Sequence, residues 1–125
     1  MSKIPKRERG KFTTPLVLNY LKGGRWLVKK PLSFKLGNGK EITVPVNFST
    51  DLDSVPRIPF LYAWLKGRAT KAAVVHDFLY FKKHNRKEAD TIFYIAMREE
   101  GVPAWRRWPI YLGVRSFGWL FYLKN

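Results

Sequence analysis

His76 and Asp77 stand side by side in the middle of Ala72 to Phe81, ten residues with no other strongly polar side chain. Burying an imidazole and a carboxylate in so apolar a run is costly unless each finds a partner. A metal, a catalytic site or a structural hydrogen-bond network would supply one. Helical residues four apart share a face, and neighbours diverge by about 100°. On a helix His76 and Tyr80 therefore face the same way, and Asp77 faces an adjoining side. The next segment, Arg86 to Glu100, must return antiparallel. It carries Asp90 on the flank of an apolar face, beside Phe93 and Met97. Asp90 is the expected partner of His76, of Tyr80, or of both. A carboxylate in that place fixes the imidazole tautomer and stabilises its protonated form, so His76 could take a proton from water. Asp77 is then left to bind a hard cation through oxygen, with Asp51 or Asp53 as further ligands. No activated serine or cysteine nucleophile is evident, so the natural chemistry is attack by water on a carbonyl polarised by the metal. The alternative stays open: His76 and Asp77 form a satisfied polar pair that fixes helix packing without turnover.

The elements that must hold these residues can be read in outline. The chain of 125 residues, 46% hydrophobic, fits one domain. Residues 1–11 read as a basic flexible tail and 12–125 as a single α+β domain with the His-Asp helix at its centre. Phe12 to Tyr20 is a short ordered lead-in. Trp26 to Leu36 and Glu41 to Phe48 are strand-like and flank Gly37-Asn38-Gly39-Lys40, where Asn-Gly supplies the positive φ angles of a hairpin turn. Ser49 to Pro59 reads as a loop interrupted by Pro56 and Pro59, and Asp53 and Arg57 lie four apart in it. Three or four packed helices follow the N-terminal hairpin or small antiparallel sheet: Phe60 to Leu65, Ala69 or Thr70 to about Lys83, Arg86 to Glu100, and Ala104 to Lys124. Asn85 is the expected N-cap of the third, with Glu88 closing a capping box, and Gly101 ends it. Pro109, Gly113 and Gly118 predict kinks or breaks in the last. His84, in a basic turn, is expected to be exposed.

Charge sets the class of partner. Twenty-four Lys and Arg face nine Asp and Glu, a formal charge of +15, and such a field attracts polyanions without choosing among them. All four aspartates and both histidines nevertheless fall between Asp51 and Asp90. The absence of cysteine excludes disulfides, thiol catalysis and thiolate metal sites. No apolar run follows the basic N-terminus, so no signal peptide is expected. Trp108 to Leu123 is about one turn short of a membrane span and is interrupted by Arg115; an interfacial helix fits it better. That segment interleaves cations with rings, notably Trp105, Arg106, Arg107 and Trp108. Such rings complete a core, or lie exposed against nucleic-acid bases, a bilayer headgroup layer or another subunit.

His76-Asp77-Phe78-Leu79-Tyr80 resembles the His-Asp-x-x-Tyr core of secreted and viral phospholipase A2 enzymes. Ala89-Asp90-Thr91-Ile92-Phe93 resembles their second-helix segment, at a spacing similar to the compact viral type. The resemblance implies His76 as general base, Asp77 as calcium ligand, Tyr80 as hydrogen-bonding support and Asp90 as the residue that orients His76. Those enzymes carry calcium on a glycine-rich loop, and no such loop precedes His76. A longer resemblance, over Phe48-Ser49-Thr50-Asp51-Leu52-Asp53-Ser54-Val55-Pro56-Arg57, the His-Asp-x-x-Tyr helix, Arg86-x-x-Ala89-Asp90-x-x-Phe93 and Gly101-Val102, is to a family of small tailed-bacteriophage proteins of unknown function. It implies a phage or prophage origin and places Asp51 to Arg57 where the calcium loop would be. The resulting expectation is a phage-encoded protein with a calcium-assisted ester-hydrolase site acting on anionic host-envelope lipid. The alternatives are a non-enzymatic virion component that assembles with other phage structural proteins, and a nucleic-acid-binding accessory protein. The expected location is the virion, or the host cytoplasm before assembly.

Overall fold

The computed structural model describes residues 9–21, 25–50, 70–119 and 122. Six short strands precede three helices, which makes this an α+β fold. The strands are β1 (Gly10–Phe12), β2 (Leu18–Tyr20), β3 (Trp26–Val28), β4 (Leu32–Leu36), β5 (Glu41–Val44) and β6 (Ser49–Thr50). The helices are α1 (Thr70–Phe81), α2 (Arg86–Glu99) and α3 (Ala104–Phe117). The strands form two antiparallel sheets, ordered β1-β4-β5 and β2-β3-β6.

The expected hairpin is β4-β5, with Phe34 opposite Ile42 and Leu32 opposite Val44. Side chains alternate across a strand, so Leu32, Phe34, Leu36, Ile42 and Val44 enter the core, while Lys35, Glu41 and Thr43 face out. Of the Asn-Gly pair only Gly39 takes positive φ, at 92°; the Asn38 side chain instead accepts the Lys40 N–H at 2.9 Å. Trp26 to Leu36 is not one strand. The chain bends at Lys29 and Lys30, and β3 joins the other sheet. Gly10 and Lys11, assigned to the tail by their charge, belong to β1: their backbone pairs with β4, and the Phe12 and Phe34 rings pack at 4.6 Å. Strand pairing uses main-chain groups, so a basic side chain does not prevent it. The short helix expected over Phe60 to Leu65 lies outside the described residues.

Helix α1 is the centre of the packing. Ala72, Ala73, Val74, Val75, Leu79 and Tyr80 are all buried, because β5 and β6 cover part of it and α2 another part. Its N-terminus is closed from a distance: the Glu100 carboxylate accepts the Lys71 and Ala72 N–H groups at 3.0 and 2.8 Å. Asn85 caps α2 as expected, accepting the Glu88 N–H at 3.0 Å. The reciprocal half of the capping box is replaced, because Glu88 pairs with Lys40 at 2.5 Å and with His84 at 3.1 Å. His84 is thereby half-buried rather than exposed. Gly101, at φ 90°, ends α2. Its N–H closes on the Arg98 carbonyl and the Val102 N–H on the Met97 carbonyl, a left-handed cap that glycine adopts without a Cβ penalty. Helix α3 continues through Pro109 and Gly113 to Phe117. Among the described residues no helix is long and apolar enough to cross a membrane.

Candidate functional site

Asp90 is fully buried and is the point where the three helices meet. His76 Nε2 lies 2.7 Å from its Oδ1, and the Tyr80 hydroxyl donates to the same oxygen at 2.5 Å. Both donors come from one face of α1, as the spacing of four requires. Arg115, from α3, donates to Oδ2 at 2.8 Å. Arg86, one turn before Asp90 on α2, sits 3.9 Å from Oδ2. Arg86 also donates to the Val114 and Arg115 carbonyls, placing a cation on the C-terminal turn of α3, where the helix dipole favours it. The His76 ring lies 4.5 Å from the Phe93 ring, nearly parallel to it, and 4.2 Å from Tyr80.

The electrostatics follow from these contacts. Burial pushes the Asp90 carboxyl up, but the hydrogen bond and charge of His76 and the donors Tyr80 and Arg115 outweigh it and hold the group below the usual carboxylate range. The Tyr80 hydroxyl is raised well above its ordinary value, first by burial and then by the Asp90 charge. At neutral pH the site therefore holds an ionised aspartate and a neutral tyrosine. An ionised carboxylate has no hydrogen to give, so His76 Nε2 must carry one. In the neutral ring Nδ1 is then the acceptor nitrogen.

Gly118 completes the geometry. A Cβ there would stand 2.7 Å from the Tyr80 hydroxyl oxygen and 2.4 Å from the Val114 carbonyl oxygen. The missing side chain is what lets the end of α3 close over Tyr80.

Asp77, on the adjoining side of α1, is half-buried, and its Oδ2 accepts the hydroxyl of buried Thr50 at 2.7 Å. Asp51, Asp53 and Arg57 lie outside the described residues. Among the described residues no group of three His, Cys, Asp or Glu side chains could hold a metal ion. Arg106, Arg107, Trp105 and Trp108 are not brought to His76. They occupy the start of α3, and eight residues of helix, about 12 Å, separate Arg107 from Arg115. Arg107 donates to the Val102 carbonyl at 2.7 Å and covers the Tyr94 ring; Arg106 covers Trp105.

Arg86, Arg115, Thr50 and Gly118 belong to the site although their sequence context assigns them no part in it. Arg86 was findable, being four residues before Asp90 on the same helix. Arg115 carried a signal too, as the one charge between Trp108 and Leu123, the same kind of signal that marks His76 and Asp77. Nothing local to Thr50 or Gly118 points to Asp77 or Tyr80, the groups they meet.

Residues 26–114 match a family model described as a protein of unknown function, DUF1353. The chain is 32% identical over 89 residues to the uncharacterized protein y4jT of Sinorhizobium fredii (strain NBRC 101917 / NGR234). That alignment covers 69% of this chain and 26% of the relative, so the chain corresponds to about a quarter of the relative's length. No solved structure matches. The family match contains His76, Asp77, Tyr80, Arg86 and Asp90, and the chain that carries this buried cluster belongs to the DUF1353 family of unknown function.

Proposed function

We propose that the His76-Asp90 pair is a hydrolytic site of phospholipase A2 type, in which His76 activates water against an ester of an anionic phospholipid. One observation carries this reading: Asp90 engages Nε2, which fixes the tautomer and makes Nδ1 the basic nitrogen of the ring. Nδ1 takes a proton from water as the water oxygen attacks the ester carbonyl. The imidazolium that forms is held against Asp90, and the proton passes to the departing alkoxide when the tetrahedral intermediate collapses. Tyr80 and Arg115 keep Asp90 ionised and in place, which is the division of labour expected of groups that orient a base.

Calcium belongs to the proposal through Asp77, a hard oxygen donor next to the base, with Asp51 and Asp53 as the further ligands. When bound it would polarise the ester carbonyl and hold the oxyanion. The phage origin, and assembly with other phage proteins, rest on the resemblance of Phe48 to Arg57 and of the helices that follow.

A second reading is favoured by the same cluster. Asp90 joins α1, α2 and α3, as a fastening between helices in a virion component without turnover would do. The two readings separate in one assay: the full chain is incubated with anionic phospholipid vesicles, and fatty-acid release is followed with calcium and with chelator. The hydrolase reading expects calcium-dependent release that His76→Ala and Asp77→Asn abolish while far-UV circular dichroism is unchanged. No release by the wild-type chain, or wild-type release by either variant, leaves the fastening reading.

A further inference from the structure

Helix α3 buries Ile110, Tyr111 and Val114, the face that meets α2. Its other side is unusual. Trp105, Trp108, Leu112 and Trp119 are 66%, 43%, 49% and 49% exposed. At about 100° per residue these four fall within an arc of about 60°. Gly118 keeps helical angles, φ −61° and ψ −22°, so Trp119 continues the line. Three of the chain's five tryptophans thus lie along one outward stripe. Single exposed apolar residues need no explanation, but four large apolar side chains aligned on one helix side mark an interaction surface.

The charge around it says what the surface meets. From Gly101 to Asn125 the chain has Arg106, Arg107, Arg115 and Lys124 and no acidic residue, in a protein of formal charge +15. One of these cations stands beside a ring of this face, and a second over a buried α2 ring that packs against it. The Arg106 guanidinium is 4.9 Å from the Trp105 ring, and that of Arg107 is 5.2 Å from Tyr94, which packs at 5.1 Å on Trp108. Indoles backed by cations on an amphipathic helix suit the boundary between acyl chains and anionic headgroups.

We infer that the Trp105-Trp108-Leu112-Trp119 face docks this protein peripherally on an anionic phospholipid bilayer. This deepens the lipid-ester reading and rests on it for the substrate, while the binding itself needs no turnover.

The test uses the full chain with vesicles of phosphatidylglycerol and phosphatidylcholine, and with phosphatidylcholine alone, in a flotation assay with tryptophan emission. The expected result is binding to the anionic vesicles with a blue-shifted emission. Trp105→Ser with Leu112→Ser, both outside the Asp90 cluster, should lower the partition at least about tenfold, as loss of large apolar side chains from the interface requires. Binding that salt abolishes and the double variant retains would mean charge alone and overturns the inference. So would no binding, or a dimer that the double variant dissociates. His76→Ala should bind as wild type does; if binding is as expected but no fatty acid is released, the hydrolase reading falls and the docking surface stands.

Discussion

Asp90→Asn tests the cluster most directly. The substitution keeps the shape of a fully buried side chain and removes its charge. Asparagine retains one acceptor oxygen in place of two. It also turns an amide N–H₂ toward His76 Nε2 and the Tyr80 hydroxyl, or toward Arg115, all of them donors in the native protein. Hydrogen bonds to charged groups contribute about 1.5–3 kcal/mol each. Breaking a buried ion pair from one side costs about 3–5 kcal/mol. Arg115 is about a third exposed and recovers some hydration, so the lower end applies and the expected loss is about 3 kcal/mol at neutral pH. The pH dependence has a definite sign. The folded carboxyl lies below its unfolded value, near pH ~3.9 for a free aspartate. Its stabilisation is therefore complete above that value and lost as pH falls through the folded one. Asparagine does not titrate, so the gap between wild type and variant should close in acid. Urea unfolding followed by far-UV circular dichroism, at neutral pH and near pH ~3, measures both. A loss under about 1 kcal/mol at neutral pH, or a gap unchanged in acid, would show that the Asp90 contacts do not hold the helices together.

Tyr80→Phe should cost about 1.5–3 kcal/mol in the same assay. Because the folded hydroxyl titrates above its unfolded value, its stabilisation is full below about pH 10 and lost above it, so the variant should show a weaker alkaline decline. Gly118→Ala forces a Cβ against Tyr80 and the Val114 carbonyl and should cost about 1–3 kcal/mol; combined with Tyr80→Phe the losses should fall short of additive in a double-mutant cycle. Glu100→Ala should cost about 1 kcal/mol through the lost cap on α1. Burial raises the Glu100 carboxyl despite the Ala72 and Lys71 N–H groups, so the stabilisation linked to it is full in acid and lost as pH rises through the raised value. Glu100→Gln, which keeps an acceptor without the charge, should then equal or exceed wild type at neutral pH; thermal denaturation of both variants decides.

The sequence carried much of this because its strongest signals are local. A four-residue spacing fixes a shared helix face, so His76 and Tyr80 had to point together. The Asn85 cap and the Gly101 terminus fix the bounds of α2, and Asn38-Gly39 fixes the β4-β5 reversal. The same locality explains the misses. Glu88 satisfies the capping-box pattern, yet Lys40, forty-eight residues away, holds its carboxylate. The Trp26 to Leu36 run looks continuous, but which sheet each half joins depends on partners that the run does not contain.

Composition and spacing alone determined that an imidazole and two acids would be set in apolar helices of a strongly basic domain. Only the folded chain decided that Asp90 is shared with Arg115 and Arg86 as well as with His76, and that Tyr80 reaches it beneath Gly118. A helical period says which side a residue faces. It does not say what stands opposite, because that depends on the path of the chain between elements, and the partners of a buried charge are chosen there.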